Sequence, residues 1–385
     1  MPAHPTEPAT PLAAMPLPAT PLPATGRTFV VGALGHRLRV TVGGEGADAL
    51  GAAFADAWSH LLLSDAAAGG AEVAEQEVSV VAPGGDTAVA AALADASARI
   101  TRALIDRSTG RGLLFHAAAV ADRDGGAILL VGPSGAGKTT AVARLATASG
   151  YLTDEMALVG ADGAVLPYPK PLSVGRGGPV KAQLAPRALG LAVAEPRPHP
   201  VSRVIVLDRD PGLAGPPRSR RLDLIESLDA LVPQLSALAH HPRPLRALAE
   251  LIRQVGGIEL LTYADARELD PVAGPPAAPP GSAEELAFTT PAVGRDAAEG
   301  TTSLVRTPVG DAVEAGGLLA LAHGAEVRVL AGIAGTLWRE TAQPRTEDAL
   351  LARLRDAHGA APGDDAAFHD AVGLLVDAGV LEWRR

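Results

Sequence analysis

The chain has 385 residues, 47% of them hydrophobic, which is enough for two or three domains with a sizeable core. A formal net charge of −10 and a scarcity of Lys leave no extended basic surface, so nucleic acid is not an expected partner. The absence of cysteine excludes disulfides, thiolate metal sites and thiol nucleophiles, and it favours an intracellular protein. No apolar run is long enough to span a membrane and no signal peptide is recognisable, so we expect a cytoplasmic protein with no membrane partner.

The first part of the chain divides by composition. Residues 1–26 form a Pro/Ala/Thr tract that cannot bury enough apolar surface to order itself, so this tail is predicted to be disordered. Residues 27–110 mix short strand-like runs with helical stretches, which predicts a small N-terminal α/β domain. The last helix of this domain carries apolar residues at helical spacing on one face. These are Leu93, Ala96, Ile100 and Leu104.

Residues 111–270 alternate strands and helices, which predicts an α/β layer structure. Residues 271–302 are predicted to be a linker, because they begin with the Pro/Gly/Ala stretch "PVAGPPAAPPGS". Residues 303–385 are predicted to form a module with a hairpin, "GGLLALAHGAEVRVL", followed by three helices. Thr346 is the expected N-cap of the middle helix, and Gly359 is expected to end it.

The motif "GPSGAGKT", Gly132 to Thr139, fits the phosphate-loop pattern G-x-x-x-x-G-K-[ST], with a strand before it and a helix after it. Its glycines let backbone amides and the positive end of a helix dipole point at phosphate oxygens. Lys138 is expected to reach the β- and γ-phosphates, and Thr139 to join the shell of Mg²⁺. A glycine-rich turn with an accidental Lys-Thr is the alternative. The predicted ATP-binding residues are Gly132, Pro133, Ser134, Gly135, Ala136, Gly137, Lys138, Thr139 and Thr140.

A histidine precedes this motif in "LLFHAAAVA", and the turn "DRDGG" separates this segment from the strand "AILLV". If Ala121 pairs with Ala127 in an antiparallel ladder, His116 comes opposite Gly132 at the mouth of the phosphate loop. The alternative is a half-buried histidine that hydrogen-bonds a backbone carbonyl and has no chemical part.

Two acidic residues follow the motif in "GYLTDEMALV". Asp154 and Glu155 stand at the end of a short predicted strand. Adjacent carboxylates beside a phosphate loop suit Mg²⁺ coordination and proton abstraction from an attacking hydroxyl. Two surface acids in a turn are the alternative.

His116, the phosphate loop, the acidic pair and then "PYPKPLSV" occur in an order that resembles the HPr kinase/phosphorylase-like group, whose core is shared with phosphoenolpyruvate carboxykinase. The resemblance covers residues 27–270 and is closest to the members found beside genes for ribosomally made, modified peptides. It implies an α/β fold with a P-loop core, and ATP and Mg²⁺ as cofactors. The catalytic residues it implies are Asp154, His116 and Lys138, and the metal-binding residues are Thr139, Asp154 and Glu155.

One residue of the shared order has two possible roles, and one signature of the family is missing. Lys170 in the "YPKP" turn is expected either to contact phosphate or substrate or to be an exposed turn lysine. The second signature of true HPr kinase/phosphorylases, a Glu-Arg-Gly-rich segment after the acidic pair, is not found, so HPr itself is not the expected substrate.

Residues 303–385 resemble the PqqD-type peptide-recognition domain, in which a leader peptide adds as a strand to a sheet edge. A winged-helix DNA reader is the competing interpretation, but residues 301–385 contain eight Arg, no Lys and twelve acidic residues, a charge that repels phosphate backbone. A structural cap on the kinase domain is a further alternative.

The predicted function is therefore an ATP-dependent kinase of a hydroxyl, expected to be a Ser or Thr of a precursor peptide, with leader recognition by the C-terminal module. The alternative is an ATP-binding accessory protein that presents a peptide to another modifying enzyme without phosphoryl transfer. A small-molecule kinase is a third hypothesis, which leaves the C-terminal module unexplained. His240 and His241 have no paired-ligand spacing and predict no metal site.

Overall fold

The structure is a computed structural model, and it describes residues 26–64, 76–82, 84–175, 180–269, 287–289, 302–324, 326–360 and 363–385. The described residues form a mixed α/β fold with 21 strands and eight α-helices. Among these residues, no helix combines the length and the hydropathy needed to cross a bilayer. The predicted disordered tail, 1–26, lies outside the described residues except for Gly26.

The strands and helices have the following bounds. The strands are β1 (Gly26–Ala33), β2 (His36–Gly43), β3 (Gln76–Val81), β4 (Gly112–Phe115), β5 (Ala117–Ala121), β6 (Ala127–Val131), β7 (Gly150–Thr153), β8 (Ala157–Gly160), β9 (Ala164–Leu166), β10 (Leu172–Val174), β11 (Ala182–Leu184), β12 (His199–Arg209), β13 (Arg218–Arg221), β14 (Leu235–Ser236), β15 (Glu259–Tyr263), β16 (Ala287–Thr289), β17 (Ser303–Arg306), β18 (Asp311–Ala315), β19 (Leu318–His323), β20 (Glu326–Leu330) and β21 (Leu381–Arg384). The helices are α1 (Ala47–Ala57), α2 (Asp86–Ser108), α3 (Lys138–Leu145), α4 (Leu224–Leu231), α5 (Pro244–Gln254), α6 (Gly332–Glu340), α7 (Glu347–His358) and α8 (Asp364–Asp377).

The chain divides into two compact units, and the first comprises the described residues of 1–107 together with 168–193. Its main sheet has the order β1-β2-β3. On α2 the predicted face is buried, with Ile100 and Leu104 fully covered. The segment 168–193 adds the β10–β11 hairpin, so this unit is built from two separate stretches of sequence. Sequence patterns did not reveal this, because the association of 168–193 with 1–107 joins segments that are distant in sequence.

Lys170 belongs to this first unit and is only 1% exposed. Its ammonium donates a hydrogen bond of 3.1 Å to the carbonyl oxygen of Pro171. The expectation of a solvent-exposed turn lysine is therefore wrong. The neighbouring Tyr168 is equally buried, and its hydroxyl lies 3.0 Å from the Thr101 hydroxyl.

The second unit comprises 108–167 and the described residues of 194–385. Its ten-stranded sheet follows the order β14-β4-β8-β9-β12-β6-β5-β7, and β15 joins β12 to β13. Strand β12 is parallel to both β6 and β15, whereas β5 is antiparallel to β6. The sheet is therefore mixed, and β6 is a central strand with β12 on one side and β5 on the other. Helices α4 and α5 contribute Leu228, Leu245 and Leu248 to its core.

The C-terminal part of this unit is built around a four-stranded sheet with the order β16-β18-β19-β20. One face of the sheet, with Val313, Ala315, Ala320 and Ala322, packs into the same hydrophobic core as α5. The opposite face, with Leu319 and Leu321, packs with Trp338, Leu350 and Phe368 of α6, α7 and α8. The sheet is thus enclosed between α5 and three helices.

The hairpin strand β19 is covered on both faces of its sheet. Its four middle residues are buried, since alanine at 320 and 322 leaves room for α5. The hairpin and three helices themselves are present. The Thr346 hydroxyl accepts the amide of Ala349 as the expected N-cap, and Gly359 ends α7.

Part of the predicted linker is a strand. Ala287–Thr289 pairs with β18, although the stretch "PVAGPPAAPPGS" lies outside the described residues. Strands β17 and β21, at the two ends of the module, also pair with each other. The division of the chain into tail, N-terminal domain, P-loop domain, linker and module stays a prediction.

Candidate functional site

The phosphate-loop motif forms the connection between β6 and α3. Gly132 follows the last residue of β6, and Gly137 is the N-cap of α3. Gly135 and Gly137 have φ angles of 86° and 90°, in the left-handed region that glycine adopts without strain. A Cβ at Gly132 would come 3.1 Å from the carbonyl oxygen of Leu207, so a side chain at this position would require a small shift of β12. The backbone conformation therefore favours glycine at 135 and 137, and close packing favours it at 132.

The loop presents backbone donors to solvent. Pro133, Ser134 and Gly135 are exposed at its tip. The first-turn amides of α3 have no carbonyl partner within the helix, because they precede the first i to i−4 bond. The amides without such a partner are those of Lys138, Thr139 and Thr140. The positive end of the helix dipole reinforces them, so this loop has the donor arrangement that binds phosphate.

Lys138 is 7% exposed and folds back onto the loop. Its ammonium donates to the carbonyl oxygen of Gly132 at 2.6 Å and to that of Pro133 at 3.2 Å. Burial lowers the pKa of Lys138 to about 8, and the negative charge of Glu155 opposes this shift. The only charged nitrogen of the loop is thus held among backbone carbonyls at the place where phosphate oxygens would bind.

Asp154 follows β7 directly, as predicted, and is 5% exposed. The Tyr151 hydroxyl donates to Asp154 Oδ1 at 3.1 Å, and the Thr139 hydroxyl lies 3.5 Å from Oδ2. The alternative of two surface acids is therefore wrong for Asp154, while Glu155 is half-buried. The carboxylate is orientated by one hydroxyl and faces another across a gap at the start of α3.

These two oxygen donors fit Mg²⁺, which prefers hard oxygen ligands and is held by one or two carboxylates together with water and substrate phosphates. In the ranges that the structure describes, no three His, Asp or Glu side chains come together as a metal cage. Thr139 and Asp154 would hold the ion, and the rest of its shell would come from water and phosphate.

His116 lies between β4 and β5. The β5–β6 ladder pairs Ala121 with Ala127 and Ala117 with Val131, so the predicted register is confirmed and His116 comes opposite Gly132. The imidazole hydrogen-bonds the backbone of Glu155. The alternative interpretation of His116 expected such a backbone bond, and this part of it is present. The backbone amide of His116 donates to the carbonyl oxygen of Gln234 at 2.7 Å, which fixes this bend.

The charges around His116 link it to the other site residues. His116 is exposed at its side-chain surface. Partial loss of solvation and the positive charge of Lys138 lower the pKa of His116, while Glu155 and Asp154 raise it. A lowered pKa leaves the imidazole neutral near pH 7, in a form that accepts or donates one hydrogen bond. The structure therefore brings together the loop, Lys138, Asp154, Glu155 and His116.

Sequence reasoning missed two tyrosines and one backbone contact at this site. Tyr151 holds Asp154, and the buried hydroxyl of Tyr263 donates to the carbonyl oxygen of Ala136 in the loop. The chain has only three tyrosines, and two of them bond the site. The small number of tyrosines in the sequence was the available signal for these two contacts. The Gln234 carbonyl contact depends on the pairing of β14 with β4, which no local pattern predicts.

Comparison with known proteins gives a family match and similarity to solved structures. Residues 93–209 match the family described as "SynChlorMet cassette protein ScmC". The structure of the Hpr(Ser) kinase/phosphatase from Coxiella burnetii is similar with a TM-score of 0.21 and 12% identity, over 40% of this chain and 85% of that chain. No curated protein matches.

The match of 93–209 includes His116, the whole phosphate loop and the acidic pair. It covers less than half of the chain, and a TM-score of 0.21 does not establish a shared fold. Across its phosphate-loop region, this chain is therefore similar to a family of cassette proteins.

Proposed function

We propose that this protein is an ATP-dependent kinase that transfers the γ-phosphoryl group of ATP to a hydroxyl, namely a Ser or Thr of a ribosomally made precursor peptide. The proposal depends most on one observation. A buried carboxylate, Asp154, faces the Thr139 hydroxyl at 3.5 Å beside a complete phosphate loop. Binding of Mg-ATP accounts for the loop and for a carboxylate that holds the metal. Phosphoryl transfer gives the same carboxylate, orientated by Tyr151, a second use as the base for the acceptor hydroxyl.

The residues take the following parts. The loop amides and Lys138 bind the β- and γ-phosphates. Thr139 and Asp154 would hold Mg²⁺, which would supply neutralisation of phosphate charge. The acceptor oxygen forms a bond to the γ-phosphorus while the bond from that phosphorus to the β,γ-bridging oxygen breaks. ADP leaves with the bridging oxygen, and the acceptor proton passes to the Asp154 carboxylate. His116, neutral near pH 7, and Glu155 border the same space.

A peptide acceptor is supported by the edge of the C-terminal sheet. Among the described strands, β20 is an edge of the four-stranded sheet. In the β19–β20 ladder His323 pairs with Glu326 across a two-residue connection, and such a closing pair is hydrogen-bonded. Because antiparallel pairs alternate, Val327 and Val329 direct their amides and carbonyls away from β19.

These outward groups allow an extended leader peptide to add as a strand beside β20. Val329 is 37% exposed, so its side chain does not close the edge. Arg328 and Glu326 on this strand form an ion pair at 2.8 Å. We propose β20 as the leader-binding edge.

The test uses [γ-³²P]ATP, the full chain and an array of Ser- and Thr-containing peptides. Transfer of label to a peptide hydroxyl supports the kinase. Release of label only as inorganic phosphate, or retention of all label in ATP, contradicts it and supports an accessory protein that presents a peptide to another enzyme.

A further inference from the structure

Tyr263 is the last residue of β15 and is completely buried. Tyr263 pairs with Arg209 at the end of β12. Strand β12 is in turn the parallel neighbour of β6, which leads into the phosphate loop. Its hydroxyl donates a hydrogen bond to the carbonyl oxygen of Ala136. A residue far away in sequence therefore holds the backbone of the loop itself.

The position of this bond determines the direction of the next amide. The chain has no cis peptide bonds among its described residues, so the carbonyl of Ala136 and the amide of Gly137 point in opposite directions across one planar peptide. Because the carbonyl is fixed toward Tyr263, the Gly137 amide is turned away from it, to the other side of the peptide plane. Gly137 is also the N-cap that precedes Lys138.

A close approach accompanies the bond. A Cβ at Gly137 would come 3.0 Å from the Tyr263 hydroxyl oxygen, which is a tight contact, and the φ of 90° independently favours glycine there. Burial raises the pKa of Tyr263, and Asp208 and Asp265 act in the same direction against Arg209. The hydroxyl therefore keeps its proton and stays a donor at neutral pH.

We propose that Tyr263 is a positioning residue for the nucleotide phosphates, which fixes the Ala136–Gly137 peptide so that the Gly137 amide faces the bound phosphate chain. This inference rests on the proposed binding of ATP by the loop. Tyr263 touches neither the acceptor nor the reacting atoms, so its effect falls on phosphate affinity more than on turnover.

The first experiment measures the dissociation constants of ATP and of inorganic tripolyphosphate by calorimetry for Tyr263→Phe. Loss of one orientating hydrogen bond is expected to weaken both ligands about tenfold, because each depends on the same loop amides. Tyr168→Phe is the matched control, since it removes another fully buried tyrosine hydroxyl, in the other unit. Its ligand affinities should equal those of the wild type.

Replacement of Tyr263 by p-aminophenylalanine tests the donor directly, because this side chain keeps an N–H at the same place. We expect it to restore most of the affinity lost in Tyr263→Phe. A role confined to folding would lower thermal stability while leaving the affinity of the folded fraction unchanged, and that result would overturn the inference.

Lys138→Ala separates this inference from the proposed function. If Lys138→Ala loses affinity and Tyr263→Phe does not, positioning by Tyr263 is wrong and ATP binding by the loop stands. If neither variant loses affinity, the proposed ATP site is wrong as well.

A measurement on the intact chain covers the case in which Tyr263→Phe does not fold. With 3-fluorotyrosine at all three tyrosines, the ¹⁹F signals of Tyr151 and Tyr168 are assigned from their Phe variants, which leaves that of Tyr263. Titration with tripolyphosphate should shift the Tyr263 signal and leave that of Tyr168 in place. An unmoved Tyr263 signal at saturation would overturn the inference.

Discussion

The Lys138 ammonium lies 2.6 Å from the carbonyl oxygen of Gly132, the first residue of its own loop. This contact keeps a positive charge among carbonyls, in a buried place that lowers the pKa of Lys138 to about 8. Phosphate oxygens would be stronger partners for this ammonium than neutral carbonyls. The contact therefore connects the stability of the loop with its affinity for ATP.

Lys138→Met should weaken ATP binding and stabilise the protein measured without ATP. Loss of a charge-assisted contact is expected to cost about 2–3 kcal/mol of binding free energy. The pKa of Lys138 is about 8 in the folded protein, below its value in the unfolded chain. Below pH 8 the charged ammonium therefore lowers the free energy of unfolding. Removing it should raise the free energy of unfolding at pH 7 by on the order of 1–2 kcal/mol, a gain that shrinks above pH 8.

Calorimetric titration and urea unfolding check the two parts of this prediction. Lys181→Met is the control, because Lys181 is exposed and should change neither quantity. Equal ATP affinity in wild type and Lys138→Met would contradict binding by the loop.

The affinity for ATP should fall as pH rises above about 8. Bound phosphate favours the charged ammonium, so binding above the lowered pKa of Lys138 requires uptake of a proton. We expect a nearly constant dissociation constant below pH 7.5 and an increase of up to about tenfold per pH unit between pH 8 and 9.5. Calorimetry in buffers of different ionisation enthalpy measures the proton uptake.

Lys138→Arg provides the comparison for this pH dependence, since arginine stays charged throughout the range. Its affinity should not change between pH 7.5 and 9.5. The same slope in both proteins would show that another group titrates.

Tyr151→Phe should reduce turnover without removing ATP binding. The hydroxyl that orientates Asp154 Oδ1 at 3.1 Å is lost, while the carboxylate remains. Loss of one hydrogen bond of about 1 kcal/mol corresponds to a decrease in kcat of roughly fivefold. Steady-state kinetics with Tyr168→Phe as the control would test this, and an unchanged kcat would mean that Tyr151 does not orientate a reacting group.

Val329→Pro should block strand addition at β20. Proline removes the outward amide of residue 329 and leaves the bonds to β19 intact, since proline is tolerated at an edge strand. The apparent KM for a leader-bearing peptide should rise about tenfold or more, with unchanged ATP affinity. Val329→Thr keeps the amide and a β-branched side chain, and it should behave as the wild type.

A point substitution is needed here because the C-terminal sheet shares a core with α5. Removing residues 303–385 would expose Leu245 and Leu248, so a shortened chain would report on folding instead of on leader capture. If Val329→Pro has the wild-type KM for peptides with and without the leader, β20 takes no part in substrate binding and the module is a structural cap.

Much of the site could be predicted from the sequence because its determinants are local. The loop between β6 and α3 follows from glycine spacing, and the position of His116 opposite Gly132 follows from one hairpin register. Asp154 at the end of β7 follows from a short apolar strand. Each of these depends on residues within about forty positions of Lys138.

The rest depends on contacts between distant segments. Tyr263 is 127 positions from Ala136, and it reaches the loop only because β15 lies beside β12. The return of 168–193 to the first unit and the packing of α5 against Val313 are equally non-local. Periodicity describes which face of an element is apolar, but it does not identify the element that covers this face.

The most direct test of the proposed function is the comparison of wild type with Asp154→Asn, by intact-mass detection of phosphate on the acceptor peptide and by ATP titration. The substitution keeps the size of the side chain and removes the base. We expect kcat for phosphoryl transfer to fall by about two to four orders of magnitude, with a much smaller change in ATP affinity. Phosphorylation at the wild-type rate by Asp154→Asn, or no phosphorylation by either protein, would contradict the proposed kinase.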